Sequence, residues 1–417
     1  MRVLWLTNSP SGYLQGTNAY NGGGWIFSAE EEIKKQNEIE LAVSFVLDNQ
    51  PQKVKKGGVC YYPLKSGKHN NIFSKIVRLF QFEKYQASKL LQLQKVVDDF
   101  RPDIIHIFGS EQFWGLIAKY VHVPIVLHIQ GVLNPYLNAF LIPGVSSKDY
   151  LFQSLSPRCL YSNFISFFFF KRFAKRELEI TKDIKYYIGR TEWDRRIMNV
   201  LHPGCKYFYG SEILRKEFYE DKTRIITDTK PIIVTTISNS LYKGFDLVLK
   251  TAKLLVENLK LDFEWRIFGN INPRFVERLT GIETKAVNVK LCGVASASML
   301  RDELLKASVY VHTSYIDNSP NSVCEAQIMG LPTIVTHVGG TYSLIEEGVT
   351  GFSVPANDPY QMAFLIDKLI KDAVLNKSLG ENAHVSAMKR HDKIQIVDTL
   401  IETYKTIIED YNKDESI

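Results

Sequence analysis

Short apolar runs alternate along the chain with longer segments whose apolar residues recur at helical spacing. This alternation is typical of parallel sheets covered by helices. Strand-like runs occur at Arg2–Leu6, Leu41–Leu47, Ile104–Phe108, Ile125–Ile129, Tyr186–Ile188, Ile232–Ile237, Trp265–Phe268, Val289–Leu291, Val309–Thr313 and Thr333–Thr336. Helix-like segments include Ile26–Lys35, Lys75–Phe100, Phe245–Val256 and residues 394–411. The pattern predicts an α/β protein built from doubly wound sheets.

A polar segment, DKTRIITDTKP at residues 221–231, interrupts this alternation near the middle of the chain. With 417 residues, the chain is longer than one typical core requires, and it suits two domains of about 200 residues each. We therefore predict one domain at residues 1–228 and a second at residues 229–393.

Residues 309–340 are the most informative stretch, because they read as strand, polar loop, short helix, strand and glycine turn. The loop DNSPN has helix-capping chemistry, and a helix is predicted at about Ser322–Met329. The first N–H groups of a helix have no intrahelical partner and carry partial positive charge, so this loop end suits a diphosphate. Glu325 is placed to accept both hydroxyls of a ribose, and Asp317 to hold sugar hydroxyls beyond the phosphates.

Simpler interpretations of these two acids remain open. A carboxylate in a first helical turn stabilises the helix by ~0.3–1 kcal/mol without any ligand. An Asp that precedes Asn-Ser-Pro is also common in plain turns.

A lysine and a glycine-rich segment extend the candidate site. Lys243, in the segment SNSLYKG, lies near a helix start where the helix dipole disfavours a cation, which points to an anionic ligand. Three glycines, Gly22, Gly23 and Gly24, precede the predicted helix Ile26–Lys35 and let the backbone approach an anion or sugar closely. A structural turn explains these glycines equally well.

Together these residues resemble the signature of the retaining glycosyltransferases of family 4. That signature has two acids separated by seven residues, then Ala-x-x-x-Gly-x-Pro and a Gly-Gly turn. The matching positions are Asp317, Glu325, Ala326, Gly330, Pro332, Gly339 and Gly340. The first acid of the family is usually Glu, and this chain has the shorter Asp.

The resemblance implies the GT-B architecture, with two Rossmann-like doubly wound domains that face a central cleft. It makes residues 1–228 the acceptor-binding domain and residues 229–393 the nucleotide-sugar donor domain. It also implies that the final helix, at residues 394–411, crosses back onto the first domain.

The resemblance further assigns roles to residues. Lys243 matches the family's Lys-Gly position, which neutralises the donor diphosphate together with an Arg. Ser238 occupies that Arg position here, and Arg190 is the candidate substitute. Other residues expected at the donor are Asn318, Ser319, Pro320, Asn321, Ser322, Val323, Gly269 and Val294. Residues expected on the acceptor side are Gly22, Gly23, Gly24, Gln130, His128 and Glu111, with His128 equally compatible with a core position.

Charge, cysteine content and the N-terminal residues indicate which partners and which cellular location to expect. Residues 1–228 hold 31 Lys or Arg against 22 Asp or Glu, whereas residues 229–417 hold 20 against 23, so the basic first half predicts an anionic partner surface or substrate. The five cysteines have no CxxC spacing, which indicates neither a disulfide framework nor a zinc site. The start MRVLWLTNSP is no secretory signal, so we expect a cytoplasmic location.

One segment suggests contact with the inner face of the membrane. Residues Phe164–Lys182 combine consecutive phenylalanines with lysines and arginines. Such a stretch lies on an anionic bilayer surface or packs as a buried helix with a solvated basic face, and it is too charged to span a bilayer.

The implied function is retaining transfer of a hexose-type sugar from a nucleotide-diphosphate sugar to a hydroxyl of a glycan or lipid-linked glycan, in bacterial surface polysaccharide synthesis. No Asp-x-Asp pair occurs in the sequence, so we expect no metal and no cofactor, and we expect no nucleic-acid partner. Two alternatives remain: a sugar-nucleotide epimerase or phosphorylase on the same fold, and a catalytically silent nucleotide-sugar-binding protein. The departures at Ser238, Gln130 and Asp317 from the family pattern keep the silent protein open as an alternative.

Overall fold

The computed structural model describes residues 1–14, 24–48, 52–66, 81–154, 156–220, 224 and 230–415. The chain forms two compact units, each built around one sheet. Unit 1 comprises residues 1–134, 167–213 and 392–417, and unit 2 comprises residues 135–166 and 214–391. The predicted boundary near residue 228 falls beside residues 225–229, which lie outside the described residues.

The strands of the described residues are β1 Arg2–Leu6, β2 Glu40–Leu47, β3 Val54–Lys56, β4 Val59–Lys65, β5 Ile104–Phe108, β6 Ile125–His128, β7 Tyr186–Gly189, β8 Lys206–Tyr209, β9 Ile232–Thr236, β10 Glu264–Phe268, β11 Val289–Gly293, β12 Val309–His312, β13 Thr333–Thr336 and β14 Gly351–Val354. The α-helices are α1 Gly24–Ile33, α2 Phe82–Phe100, α3 Leu133–Asn138, α4 Ser147–Leu151, α5 Pro157–Asp183, α6 Glu192–Leu201, α7 Phe245–Glu257, α8 Arg274–Thr280, α9 Ala297–Lys306, α10 Asn321–Ile328, α11 Pro359–Lys371, α12 Ala373–Arg390 and α13 Lys393–Glu415. Among these helices, none has an apolar stretch long enough to cross a bilayer.

The described strands of unit 1 form a sheet in the order β3-β4-β2-β1-β5-β6-β7-β8. Neighbouring strands are parallel, except that β3 runs antiparallel to β4. The chain builds the sheet outward from β1 to β4 and then in the opposite direction from β5. The winding direction therefore switches between β1 and β5, and ligands bind at the carboxyl ends of strands at such a point.

The last helix, α13, belongs to unit 1 and is tied to the first sheet by hydrogen bonds. Trp5 donates through its indole N–H to the hydroxyl of Tyr404 at 3.0 Å, and that oxygen lies 2.5 Å from Nδ1 of His106. Farther along the helix, the carboxylate of Asp410 accepts from the hydroxyl of Tyr186 at 2.7 Å. These contacts join α13 to β1, β5 and β7.

The described strands of unit 2 form a wholly parallel sheet in the order β11-β10-β9-β12-β13-β14. Its winding direction switches between β9 and β12, so the carboxyl ends of these two strands mark the expected binding edge. The core beside them includes Trp265, which is fully buried and donates its indole N–H to the hydroxyl of Thr235 at 3.0 Å.

The strands predicted from sequence are confirmed to within two residues at each end. Four strands were not predicted: β3, β4, β8 and β14. Strand β4 contains Pro63, which lacks an N–H, but β3 pairs only with residues 59–61, so Pro63 lies beyond that ladder. The helix predicted at Lys75–Phe100 is observed from Phe82, and residues 75–80 lie outside the described residues.

Candidate functional site

Two loops of unit 2 meet at the switch point of its sheet. One loop joins β9 to α7, and the other joins β12 to α10. The backbone N–H of Tyr315 donates to the carbonyl of Tyr242 at 2.7 Å, and the hydroxyl of Thr313 donates to the carbonyl of Lys243 at 3.0 Å. These bonds hold the two loops side by side.

Lys243 and Asp317, which are 74 residues apart in the chain, form an ion pair where these loops touch. The ammonium Nζ lies 2.6 Å from Oδ2 of the carboxylate. Burial alone would raise the pKa of Asp317, but the Lys243 charge and the nearby His312 outweigh it and hold that pKa well below its usual range. Burial alone would lower the pKa of Lys243, but the Asp317 charge raises it. Both groups are therefore ionised at neutral pH.

Further donors of the protein surround the Asp317 carboxylate. On Oδ2, the hydroxyl of Ser314 donates at 3.3 Å and Nε2 of His312 lies 3.1 Å away. On Oδ1, the hydroxyl of Tyr136 donates at 3.1 Å and the backbone N–H of Asn318 at 3.2 Å. Asp317 was expected to hold sugar hydroxyls, and that role stays a prediction. The protein itself supplies hydrogen bonds to both of its oxygens.

Tyr136 was not singled out in the sequence, and it reaches this site from α3, in the first third of the chain. Its ring meets that of Tyr242 edge-on, with centroids 5.5 Å apart. Burial, and then the charge of Asp317, raise the pKa of Tyr136 well above its ordinary value. The Tyr136 hydroxyl thus keeps its proton and serves as a donor to Asp317.

Glycines allow the close backbone approach that this site requires. Gly244 has φ +76°, and a Cβ added there would overlap the carbonyl oxygen of Thr313. Gly339 has φ +54°, and a Cβ there would overlap the carbonyl oxygen of Asp317, which also accepts from the N–H of Gly340 at 3.0 Å. The Lys-Gly and Gly-Gly pairs of the sequence are therefore explained by packing against β12 and its loop.

Helix α10 begins one residue before the predicted start, after Pro320 as N-cap. No side chain caps this end. The N–H groups of Val323 and Cys324 donate to the carbonyl of Pro320, at 3.0 and 3.4 Å, whereas those of Asn321 and Ser322 have no intrahelical acceptor. Glu325 lies on this helix and is 4% exposed. Its two carboxylate oxygens each accept a hydrogen bond from Arg215, from Nε and Nη2, at 2.8 Å.

Arg215 is a second site residue that the sequence analysis missed. It lies just before a short 3-10 helix, Lys216–Tyr219, and its guanidinium sits 4.9 Å from the ring centroid of Phe218. No motif surrounds it in the sequence, and its partner lies 110 residues away.

The remaining predicted donor residues lie in the loops around the same edge. Residues 318–323 follow β12 directly, and Asn318, Ser319 and Val323 are buried. Gly269, after β10, has φ +133°, and a Cβ there would overlap the carbonyl of Ile237. Val294, after β11, is 51% exposed. Their contacts with a nucleotide remain predictions.

Arg190, the candidate replacement for the missing arginine at Ser238, belongs to unit 1. Its Nη1 lies 3.3 Å from the carboxylate of Glu212, and both side chains are almost fully buried. Its guanidinium also lies 4.9 Å from the ring centroid of Trp25. These contacts give Arg190 a place within unit 1, and its role toward a diphosphate remains a prediction.

The predicted acceptor residues also follow strands of unit 1. His128 ends β6 and is 3% exposed, and its ring stacks on that of His106 with centroids 5.3 Å apart. Burial lowers its pKa well below the ordinary value, so it is a neutral histidine of the core. Gln130 follows it and is partly buried, Gly24 is the first residue of α1, and Gly22 and Gly23 lie outside the described residues.

Glu111 follows β5, beside the switch point of the first sheet. Its Oε2 accepts a hydrogen bond at 3.3 Å from the side-chain amide of Asn8, which follows β1. Burial raises the pKa of Glu111 to about 7. A carboxyl group that titrates near neutrality therefore lies at the predicted ligand edge of unit 1.

The aromatic and basic segment at residues 164–182 lies within α5. Phe169 and Phe173 pack against Phe82 of α2, with centroids 6.0 and 5.9 Å from its ring. Phe164 and Phe168 are exposed, at 52% and 36%. One part of the aromatic set thus packs within unit 1, while another part faces solvent.

Part of the chain is similar to a known family of proteins. Residues 217–385 match the family described as Glycosyl transferases group 1. The gpi3 subunit of phosphatidylinositol N-acetylglucosaminyltransferase from Schizosaccharomyces pombe is 23% identical over 218 residues, which cover 51% of this chain and 46% of that protein. The chain thus spans about half the length of this curated relative.

Solved structures share the whole architecture. Sucrose-phosphate synthase from Thermosynechococcus elongatus superposes with a TM-score of 0.74 at 14% identity, over 98% of this chain and 99% of that one. Anabaena HepE in complex with UDP-glucose has a TM-score of 0.64 at 15% identity, over 97% and 100%. These likenesses show the fold, which is GT-B with two Rossmann-like α/β units. Residues 217–385 of this chain therefore match the group 1 glycosyltransferase family, and the chain has a GT-B fold.

Proposed function

We propose that this protein is a retaining glycosyltransferase that moves a sugar from a nucleotide-diphosphate sugar to a hydroxyl of its acceptor. The observation that carries the proposal is the joining of Lys243, the first turn of α10 and Glu325 along one edge of the sheet in unit 2. This edge is the switch point of a doubly wound sheet, where such folds bind nucleotides. HepE, which shares the fold, has been crystallised with UDP-glucose.

Lys243 and α10 receive the diphosphate. When the sugar leaves, the nucleoside diphosphate gains negative charge, and fixed cations and dipoles lower the energy of that state. The ammonium of Lys243 has three N–H bonds, and one of them points to Asp317. The other two, with the N–H groups at the start of α10, supply donors to phosphate oxygens.

Glu325 receives the ribose. Arg215 occupies one lone pair on each carboxylate oxygen through its two parallel hydrogen bonds. Arg215 thereby holds the Glu325 carboxylate in the orientation that a ribose needs.

The transfer itself proceeds on one face of the sugar. The bond from C1 to the phosphate oxygen breaks, and the acceptor oxygen forms its bond to C1 on the same side. The acceptor proton passes to the leaving phosphate oxygen, so the step uses neither a protein nucleophile nor a metal.

We propose a glycan or lipid-linked glycan as the acceptor, in surface polysaccharide synthesis, with unit 1 as the acceptor-binding unit at the inner face of the membrane. The basic first half of the chain supports an anionic, lipid-containing surface as partner, and so do two exposed residues of α5: Phe168, in unit 1, and Phe164, in unit 2 close to the boundary between the units. The gpi3 relative bears a name that includes a phosphatidylinositol lipid.

A donor-consumption assay tests the proposal. Thermal unfolding with UDP, GDP, ADP and dTDP selects the base, because a ligand that binds only the folded state raises its stability. The matching nucleotide sugars are then incubated with wild type, Lys243→Ala, Glu325→Ala and the control Lys253→Ala, a half-exposed lysine on α7. We expect loss of about 100-fold or more in turnover for the first two variants and unchanged turnover for the control.

Three outcomes contradict the proposal in different ways. Turnover at the wild-type level in Lys243→Ala or Glu325→Ala removes the site assignment. Binding of nucleotide without consumption of any donor identifies the silent binding protein. An epimer formed without acceptor, or a sugar phosphate formed with inorganic phosphate, identifies the epimerase or the phosphorylase.

A further inference from the structure

We infer that Asp317 is a positioning residue that acts on the donor diphosphate through Lys243 and makes no hydrogen bond to the donor sugar. This inference rests on the proposed function and assigns a different task to the first acid of the motif. It follows from how many hydrogen bonds the carboxylate already accepts.

A carboxylate offers about four lone-pair positions, two on each oxygen. Lys243 and Ser314 donate to Oδ2, and Tyr136 and the backbone N–H of Asn318 donate to Oδ1. These four donors come from the protein, and Nε2 of His312 also lies 3.1 Å from Oδ2, so groups of the protein surround all the available positions. A sugar hydroxyl would have to displace one of them, and each displaced donor would lose its partner in a buried place.

The Asp317 side chain also has little freedom to reach elsewhere. Its backbone carbonyl accepts from Gly340, and Gly339 packs against the same carbonyl oxygen. The side chain is 10% exposed. An aspartate is one methylene shorter than the usual glutamate, so the carboxylate stays beside Lys243 instead of extending toward a ligand.

Asp317 in turn fixes the position of Lys243. A lysine side chain is flexible, and its 2.6 Å ion pair holds the ammonium at the loop edge next to α10. The Nζ atom also lies 5.7 Å from the ring centroid of Tyr242. Without the Asp317 carboxylate, the Lys243 side chain loses the hydrogen-bond partner that favours one of its rotamers.

Tyr136, on α3, also stabilises the Asp317–Lys243 pair. Its hydroxyl donates to Oδ1 of Asp317, and its ring packs edge-on against Tyr242, the neighbour of Lys243. It therefore contacts both the carboxylate and the loop that carries the lysine. Tyr136 is a second positioning residue for the diphosphate.

A double-mutant cycle with a sugar-free nucleotide tests this inference. Isothermal titration measures binding of UDP, or of whichever of UDP, GDP, ADP and dTDP binds the wild type, to Asp317→Asn, Lys243→Ala, the double variant and the control Lys253→Ala. We expect each single variant to bind about 10-fold more weakly, because each loses a charge-assisted hydrogen bond. In the Lys243→Ala background, Asp317→Asn should then change the affinity less than about 2-fold.

Two results would overturn the inference. One is an Asp317→Asn protein that binds UDP like the wild type but loses binding or turnover of the UDP-sugar. The other is an equal loss from Asp317→Asn with and without Lys243. A wild type that binds none of the four nucleotides overturns the proposed function itself, so the two failures are distinct.

Tyr136→Phe provides an independent measurement that does not depend on how well Asp317→Asn folds. The hydroxyl is lost while the ring is retained, so we expect UDP affinity to fall about 2- to 5-fold with only a small fall in the unfolding midpoint. Unchanged UDP affinity, together with a changed preference among donor sugars, would show that this cluster contacts the sugar and would contradict the inference.

Discussion

Glu325 and Arg215 form a fork in which two parallel hydrogen bonds of 2.8 Å join the carboxylate to the guanidinium. The carboxylate is 5% exposed and the guanidinium side chain 25%. Such bidentate pairs fix geometry as well as charge. Arg215 thus orients Glu325, the acid that is proposed to hold the ribose. The pair also connects α10 to the segment around Arg215, 110 residues earlier in the chain.

The first prediction concerns this fork. Arg215→Ala leaves a buried carboxylate without its cation, so we expect weaker UDP binding by about 10-fold and a loss of roughly 2–4 kcal/mol in the free energy of unfolding. Arg215→Lys restores the charge but not the second hydrogen bond, so it should recover only part of the UDP affinity and part of the free energy of unfolding. Titration calorimetry and urea unfolding measure the two effects. An Arg215→Ala protein with wild-type affinity for UDP would show that the fork has no part in ribose binding.

A second prediction concerns Gly244, where the backbone conformation and the packing both require glycine. In Gly244→Ala the new Cβ meets the carbonyl of Thr313 at φ +76°, so we expect a loss of about 3 kcal/mol or more in the free energy of unfolding. Gly281 is the matched control, because its φ is +68° and an added Cβ meets nothing within 4 Å. Gly281→Ala should lose only about 1 kcal/mol. Equal losses at both positions would contradict the packing argument.

A third prediction uses the titration of Glu111. Burial raises its folded-state pKa to about 7, above the ordinary value of 4.5, so the folded protein binds a proton more tightly than the unfolded chain. The stability that this proton contributes is complete below about pH 4.5 and is lost as the pH rises through 7. The loss amounts to up to roughly 3 kcal/mol.

Urea unfolding of wild type and Glu111→Gln at several pH values checks this. Tryptophan fluorescence reports mainly on unit 1, which holds Trp5, Trp25, Trp114 and Trp193, whereas Trp265 lies in unit 2. The glutamine variant should lack the fall in stability between pH 4.5 and 8. The same pH dependence in both proteins would assign the titration to another group.

A fourth prediction concerns the exposed aromatics of α5. We expect the protein to sediment with phosphatidylglycerol vesicles and not with phosphatidylcholine vesicles, and to be released by salt, because the attraction is partly electrostatic. The double variant Phe164→Ala, Phe168→Ala should bind severalfold more weakly, since it loses the apolar contribution. Tyr360→Ala is the control, as Tyr360 is an aromatic residue of unit 2 that is 73% exposed. Equal binding of all three proteins would remove this helix as the contact.

Much of the fold could be predicted from the sequence, because parallel strands buried on both faces are continuous apolar runs. Such runs gave the bounds of β1, β5 and β13 without error. The strands that were missed carry a weaker signal. Strand β8, KYFY, is at the sheet edge and is largely solvent-accessible, and β14 has only four residues and begins with a glycine.

The candidate site could be predicted only in part. Lys243, Asp317 and Glu325 lie within short motifs whose strand, loop and helix are local in sequence. Tyr136 and Arg215 meet them from 181 and 110 residues away, and no local pattern encodes such contacts. One signal was available for His312, which lies 3.1 Å from Asp317: it is a polar residue at the carboxyl end of a buried strand.

The most direct test of the central claim is a crystal structure of this protein with UDP, or with the nucleoside diphosphate that it binds most tightly. The account predicts phosphate oxygens within hydrogen-bond distance of Lys243 Nζ and of the first N–H groups of α10, with the ribose hydroxyls on Glu325. Density for the nucleotide at another place, with Lys243 still paired with Asp317 and Glu325 still paired with Arg215, would contradict it.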